Sequence, residues 1–72
     1  MSYVAGIDGG GTKTLAIIAR TSGEILGVGT AGPSNVSTLG IVKARTAVER
    51  AFLNALRSCR IPRREISAIC LG

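Results

Sequence analysis

The chain has 72 residues, of which 46% are hydrophobic, and nine Lys and Arg against four Asp and Glu give a formal net charge of +5. This length supports no more than one small domain, since a chain of about 60 residues buries only roughly 60% of its unfolded surface. No apolar stretch approaches the ~18 residues of a membrane span. Residues 1–4 lack the basic region and long apolar core of a signal peptide, so we expect no membrane partner and a cytoplasmic protein.

The basic charge raises the question of nucleic-acid binding, because a basic stripe is the electrostatic footprint of a protein that contacts phosphate backbones. Bases also need aromatic side chains on which to stack. Only Tyr3 and Phe52 could serve, and both are better placed for core packing. We therefore expect no nucleic-acid partner.

The first predicted element is a strand that contains Tyr3, Val4 and Ile7 and ends at Asp8, directly before three glycines. Ligands gather at the carboxyl ends of strands in open α/β sheets, so Asp8 could hold a hydrated Mg²⁺. Glycines can adopt positive φ and lack Cβ, so their N–H groups could approach phosphate oxygens closely. The hydroxyl and ammonium groups that follow suit phosphate as well. The candidate phosphate-binding residues are Asp8, Gly9, Gly10, Gly11, Thr12, Lys13 and Thr14.

Three other interpretations of the glycine run are a tight turn, a P-loop and a dinucleotide-binding fingerprint. A tight hairpin turn uses Asp and Gly too, although one glycine would serve a turn and three in a row carry an entropic cost. The P-loop pattern fails because Thr12 stands between Gly11 and Lys13. The dinucleotide fingerprint fails because Thr14 stands where its last glycine belongs and no helix is predicted next. A turn and a phosphate loop remain compatible.

Two further strands follow the glycine run. Residues 15–20 form an apolar run too short for a typical helix, and residues 21–24 suit a hairpin loop. Ile25, Leu26 and Val28 then predict the third strand. Gly27 and Gly29 could mark a bulge or a close backbone approach, or be simple small residues. The candidate phosphate loop is thus expected within an antiparallel hairpin.

An amphipathic helix is predicted over residues 40–59, because apolar residues recur every three to four positions over about five turns. Ser37 or Thr38 could cap its start, and Pro62 closes the region after it. Its basic residues are interpreted as a solvated face. Residues 61–65 predict one loose helical turn, and residues 66–71 predict a fourth strand parallel to the first. The apolar helix positions are Ala44, Ala47, Val48, Ala51, Phe52, Ala55, Leu56 and Cys59.

Residues 6–14, Gly-Ile-Asp-Gly-Gly-Gly-Thr-Lys-Thr, resemble the first phosphate motif of the superfamily of actin-like ATPases, sugar kinases and heat-shock ATPases. With Gly-Pro-Ser-Asn at residues 32–35, the chain is similar to the group of N-acetylglucosamine kinases and benzoyl-CoA reductase-type ATPases. This resemblance covers essentially all of the chain. It implies an α/β, ribonuclease H-like fold with antiparallel hairpin strands, a helix and a parallel strand. Because the chain stops at an apolar strand, we expect residues 1–72 to be the N-terminal part of a longer actin-like ATPase or sugar kinase domain.

The resemblance implies an ATP-dependent sugar kinase acting on N-acetylglucosamine or a related hexosamine. Asp8 would hold Mg²⁺ through water, residues 9–12 would cradle the β- and γ-phosphates of ATP, and Lys13 and Thr14 would support the charge. In resembling kinases the asparagine of Gly-Pro-Ser-Asn contacts substrate hydroxyls, which places Asn35 in the sugar site. The residues alone leave substrate contact and helix capping equally open. The catalytic base lies outside this segment, so the 72 residues by themselves are expected to be inactive, and a homodimer remains open.

Two other functions belong to the wider resemblance. One is an ATPase activator of a 2-hydroxyacyl-CoA dehydratase or benzoyl-CoA reductase-type system, which would need cysteines for an iron–sulfur cluster at a dimer interface. Cys59 and Cys70 are instead expected to be buried, reduced thiols, and the chain without histidine has no usual zinc spacing. The other is a sugar-responsive regulator with a DNA-binding segment ahead of the motif. Because the motif starts at residue 6, we do not expect it.

Overall fold

The computed structural model describes residues 3–33 and 40–72, and within them the predicted elements occur in the predicted order. The strands form a four-stranded sheet with the order β3-β2-β1-β4. The β1–β2 and β2–β3 pairs are antiparallel, and the β1–β4 pair is parallel, as predicted. The elements are β1 Tyr3–Gly9, β2 Thr14–Arg20, β3 Ile25–Ala31, α1 Ile41–Cys59, a 3₁₀ turn Arg63–Glu65 and β4 Ile66–Leu71.

The core lies between one face of this sheet and α1. Side chains alternate between the two faces of a strand, and the buried residues of β1 and β2 follow this alternation: Ala5 and Ile7 in β1, and Thr14, Ala16 and Ile18 in β2. The helix buries its apolar stripe against that face. The apolar residues spaced three to four apart in the helix therefore pack against the alternating apolar residues of the strands. The core consists of Ala5, Ile7, Ala16, Ile18, Ala51, Phe52, Ala55 and Leu56.

Gly27 and Gly29 let α1 pack directly onto β3. A Cβ on Gly27 would lie 2.6 Å from the carbonyl oxygen of Ala55, and one on Gly29 would overlap the backbone of Ala51 and Ala55. The pairing of β2 with β3 also shifts register next to Gly27, which leaves Leu26 as an extra residue. Both the bulge and the close backbone approach therefore occur, and the two glycines are more than simple small residues.

The N-terminal end of α1 differs from the prediction, whereas its C-terminal end agrees with it. Gly40 is the N-cap, with φ of 81°, and it makes no side-chain capping bond. Ser37 and Thr38, the predicted caps, lie outside the described residues. At the other end Arg60 adopts a left-handed conformation, and the N–H of Ile61 donates to the carbonyl of Leu56 at 3.3 Å, a Schellman arrangement ahead of Pro62.

Charged residues interrupt α1, and no helix in the described part of the chain is both long enough and apolar enough to cross a membrane. The polar side of this helix instead bonds to the sheet edge. Asn54 donates from Nδ2 to the carbonyl of Thr30 at 3.0 Å, and the hydroxyl of Ser58 accepts from the N–H of Val28 at 3.1 Å. These contacts protect the edge strand β3, since an unpaired strand edge invites pairing with other chains.

Candidate phosphate-binding site

The glycine run forms the connection between β1 and β2. The N–H of Gly10 donates to the carbonyl of Lys13 at 3.1 Å, so Gly11 and Thr12 stand at the tip of a tight hairpin. Gly9 and Thr14 form the last strand pair below it. The run leads directly into a strand and not into a helix, which confirms the predicted hairpin context.

The glycines of this run do not adopt the left-handed conformation that glycine permits. Among the described residues, positive φ occurs at Gly23, Gly40 and Arg60. A Cβ on Gly10 would have its nearest neighbour, the carbonyl oxygen of Lys13, at 3.9 Å, and one on Gly11 would meet nothing within 4 Å. Neither the turn nor packing within the described chain therefore requires glycine at Gly10 and Gly11. The backbone at the tip is open to close approach from outside.

The amide groups of the hairpin are not equivalent as donors. The N–H of Gly10 is already bonded to Lys13, whereas Gly11, Thr12 and Lys13 donate to no backbone carbonyl within residues 3–33 and 40–72. Thr12 and Lys13 are exposed, and Lys13 forms no ion pair in this part of the chain. The tip thus combines unbonded amides, a hydroxyl and an ammonium group, all of which can donate to an anion.

Asp8 lies at the carboxyl end of β1, on the sheet face opposite α1. Its neighbour Ile7 is buried on the helix side, and strand alternation directs Asp8 the other way. The carboxylate is exposed and makes no hydrogen bond or ion pair within the described ranges. It borders a concavity of 310 Å³ whose other lining residues are Gly6, Ile7, Leu15, Ile17, Cys70 and Gly72.

A divalent cation at Asp8 would need ligands from beyond the protein side chains described. Residues 3–33 and 40–72 contain no group of three or more His, Cys, Asp or Glu able to hold a metal ion. Mg²⁺ suits such a position, because it keeps several waters and is bound through one or two carboxylates together with substrate phosphates. The exposed carboxylate of Asp8, beside the open backbone at residues 10–11, fits this donor set.

Thr14 differs from the rest of the predicted set. Its side chain is 0% exposed and lies on the helix side of the sheet, and its hydroxyl donates to the carbonyl of Gly32 at 2.8 Å. The structure therefore brings residues 8–13 together around the hairpin tip and directs the hydroxyl of Thr14 elsewhere. Strand alternation could have revealed this, because Thr14, Ala16 and Ile18 share one parity. Asn35, the predicted sugar contact, lies outside the described residues.

The two cysteines are not both buried, contrary to expectation. Cys59 is half-buried at the end of α1, and its thiol donates to the carbonyl of Ala55 at 3.3 Å. Cys70 is exposed on β4, because it pairs with Gly6 of β1 and lies on the sheet face opposite α1. The two thiols lie at opposite edges of the sheet, because Cys59 packs against Gly27 of β3.

The strand order, the helix across one face and the glycine hairpin after an acidic strand end define an α/β, ribonuclease H-like fold. Residues 5–72 match the BadF/BadG/BcrA/BcrD ATPase family, and the chain belongs to this family. This confirms both the resemblance and the predicted fold.

The chain is also similar to one curated relative and to one solved structure. It is 33% identical over all 72 residues to the N-acetylmuramic acid/N-acetylglucosamine kinase of Clostridium acetobutylicum, of which it spans 24%. It superposes along its whole length on the crystal structure of a candidate N-acetylglucosamine kinase from Chromobacterium violaceum, with a TM-score of 0.78, 21% identity and 35% of that chain covered. The chain thus spans about a quarter of the length of the curated relative.

Proposed function

We propose that the protein to which this chain belongs is an ATP-dependent sugar kinase, with N-acetylglucosamine or a related hexosamine as its substrate. The observation that carries the proposal is the open backbone at Gly10 and Gly11, next to the carboxylate of Asp8, which has no partner among the described residues. A surface turn alone would not require glycine at either position. A polyanion that approaches the backbone closely does require it, because a Cβ would stand in its way.

In this proposal the hairpin tip binds the β- and γ-phosphates of ATP. The amides of Gly11, Thr12 and Lys13 have no backbone acceptor among the described residues and can donate to phosphate oxygens. The hydroxyl of Thr12 and the ammonium of Lys13 add a hydrogen bond and a charge. Gly9 and Gly10 contribute through their small size, since the N–H of Gly10 is already bonded to Lys13.

Asp8 is proposed to hold Mg²⁺ through water on the open face of the sheet. When bound, the ion neutralises charge that develops on the transferred phosphoryl group. The part of Asp8 is to fix that ion beside the hairpin tip, at the carboxyl end of β1 where ligands of open α/β sheets gather. Its exposure leaves room for the several waters that Mg²⁺ retains.

Asn35 is proposed to bind the sugar. Its amide offers two donors and an acceptor, which suits vicinal hydroxyls of a pyranose ring. The segment that leads to it starts at Gly32 and Pro33, which follow directly after β3. This role rests on the family resemblance, and the residue itself lies outside the described ranges.

The 33% identity with a sugar kinase favours phosphorylation over the alternative, an ATPase that activates a 2-hydroxyacyl-CoA dehydratase or benzoyl-CoA reductase-type system. A screen of sugars against nucleotides with the purified full-length protein tests the choice. We expect transfer of phosphate from ATP to a hexosamine. A coloured protein with an iron–sulfur spectrum and no sugar phosphorylation would support the activator instead.

A further inference from the structure

Thr14 connects two loops that are far apart in the sequence. Its hydroxyl donates to the carbonyl of Gly32 at 2.8 Å, across 18 positions of the chain. The side chain is fully buried, while Gly32 itself is exposed. A threonine hydroxyl has one hydrogen to donate, and in this structure Gly32 receives it.

The backbone of Thr14 lies between the same two loops. Thr14 pairs with Gly9 of β1 on one side and with Ala31 of β3 on the other, and each is the last pair of its ladder. Beyond Ala31 no strand pairing continues in the described part of the chain. The hydroxyl of Thr14 therefore extends the attachment of β3 by one residue, to Gly32.

Thr14 is well suited to this task because its side chain is rigid. A β-branched residue has a restricted χ1, so the hydroxyl is held in one direction with little loss of entropy. The surrounding core, which includes Ala16 and Ile18 on the same face, excludes water from it. Burial also keeps the hydroxyl away from the exposed hairpin tip at Gly11 and Thr12.

We infer that Thr14 is a positioning residue that holds Gly32 at a fixed place relative to the phosphate hairpin. This inference rests on the proposed function, in which ATP binds at the hairpin and the sugar binds downstream of Gly32. Phosphoryl transfer needs the sugar hydroxyl and the γ-phosphate in line, and a displacement of about 1 Å can cost on the order of 100-fold in rate. One residue held by both loops supplies that alignment. Thr14 acts through Gly32 and does not bind phosphate through its hydroxyl.

Steady-state kinetics of the full-length protein with Thr14→Val test the inference, since valine keeps the shape and removes the hydroxyl. We expect kcat/KM for the sugar to fall by about tenfold or more, with KM for ATP within about twofold of wild type. Thr14→Ser should retain most of the activity. Ser58→Ala is the matched control, because it also removes a hydroxyl that bonds to β3, at Val28, and it should change neither substrate's KM.

A rise in KM for ATP without loss of sugar kcat/KM would overturn the inference. It would indicate that the Thr14 hydroxyl binds the phosphates of ATP. Equal kinetic losses in Thr14→Val and Ser58→Ala would also overturn it, because they would indicate a general effect of stability. If Thr14→Val fails to fold, Thr14→Ala and Thr14→Ser form a second pair that differs only in the hydroxyl. Of these two, the alanine variant should lose sugar kcat/KM.

Amide hydrogen exchange separates this inference from the proposed function. In Thr14→Val, a peptide that starts at Thr30 and includes Gly32 should exchange faster, while peptides from α1 should be unchanged. Unchanged exchange at Gly32 would refute the positioning role, whatever the enzyme phosphorylates. Faster exchange in a protein that phosphorylates no sugar would retain the positioning role and refute the kinase.

Discussion

Gly29 of β3 lies directly against the backbone of Ala55 in α1, with no room for a Cβ between strand and helix. Gly27 makes the same kind of approach one helix turn further on, near Cys59. The glycines of the hairpin tip have open space around them instead. The chain therefore uses glycine for two different purposes, helix packing in β3 and exposure of backbone between β1 and β2.

Gly29→Ala should destabilise the fold. The added methyl would press on backbone atoms of Ala51 and Ala55, which cannot rotate away as a flexible side chain can. Overpacking of this kind costs about 1–3 kcal/mol, and more where the backbone must shift. Thermal unfolding should show a clearly lower midpoint, and an unchanged midpoint would contradict the packing of α1 on β3 described above.

Gly11→Ala should leave stability unchanged and weaken ATP binding. A methyl group there meets nothing within 4 Å, and Gly11 has no positive φ that alanine would strain. The methyl would instead obstruct a phosphate that approaches the tip. The loss of one charge-assisted hydrogen bond costs about 1.5–3 kcal/mol, which corresponds to a rise of about tenfold or more in KM for ATP. Kinetics and a melting curve on the same preparation check both halves, and an unaltered KM for ATP would speak against phosphate binding at the tip.

Asp8→Ala should abolish sugar phosphorylation without disturbing the fold. The exposed carboxylate makes no bond within the described ranges, so its loss leaves no buried group unpaired. If it holds the ion that neutralises the phosphoryl group, turnover should fall on the order of 100-fold or more. Glu24→Ala is the matched control, an exposed acid in the other hairpin that pairs with Arg20 and should retain full turnover. Normal turnover in Asp8→Ala would rule out its metal role.

Asn35→Ala should mainly raise the KM for the sugar, by about tenfold, because a hydrogen bond to a substrate hydroxyl is lost. KM for ATP should change little. Asn54→Ala serves as the control, since Asn54 bonds to the carbonyl of Thr30 in β3 and takes part in no proposed site. If the sugar KM is the same in Asn35→Ala as in wild type, the residue does not contact the substrate.

Much of this arrangement could be predicted from the sequence because it depends on residues that are neighbours along the chain. The short apolar runs that contain Ile7 and Ile18 and the helical spacing of Ala51, Ala55 and Leu56 correctly predicted the strands, the helix and their order. The position of Asp8 at the end of β1, before an exposed hairpin, followed from the same patterns. These features need only local geometry and the separation of apolar from polar faces.

Contacts between distant residues decided what the patterns left open. Whether Gly29 was a small residue or a packing requirement depended on where α1 crosses β3, and the exposure of Cys70 depended on which face of the sheet that helix covers. From the sequence, the hydroxyl of Thr14 was as suitable for binding phosphate as that of Thr12. Its bond to Gly32 exists because β2 lies between the two loops. The sequence by itself determined the order of the elements and the open glycine hairpin, through local spacing. Only the tertiary structure decided which groups face that hairpin and which join it to the rest of the sheet, because packing brings together positions that the chain keeps far apart.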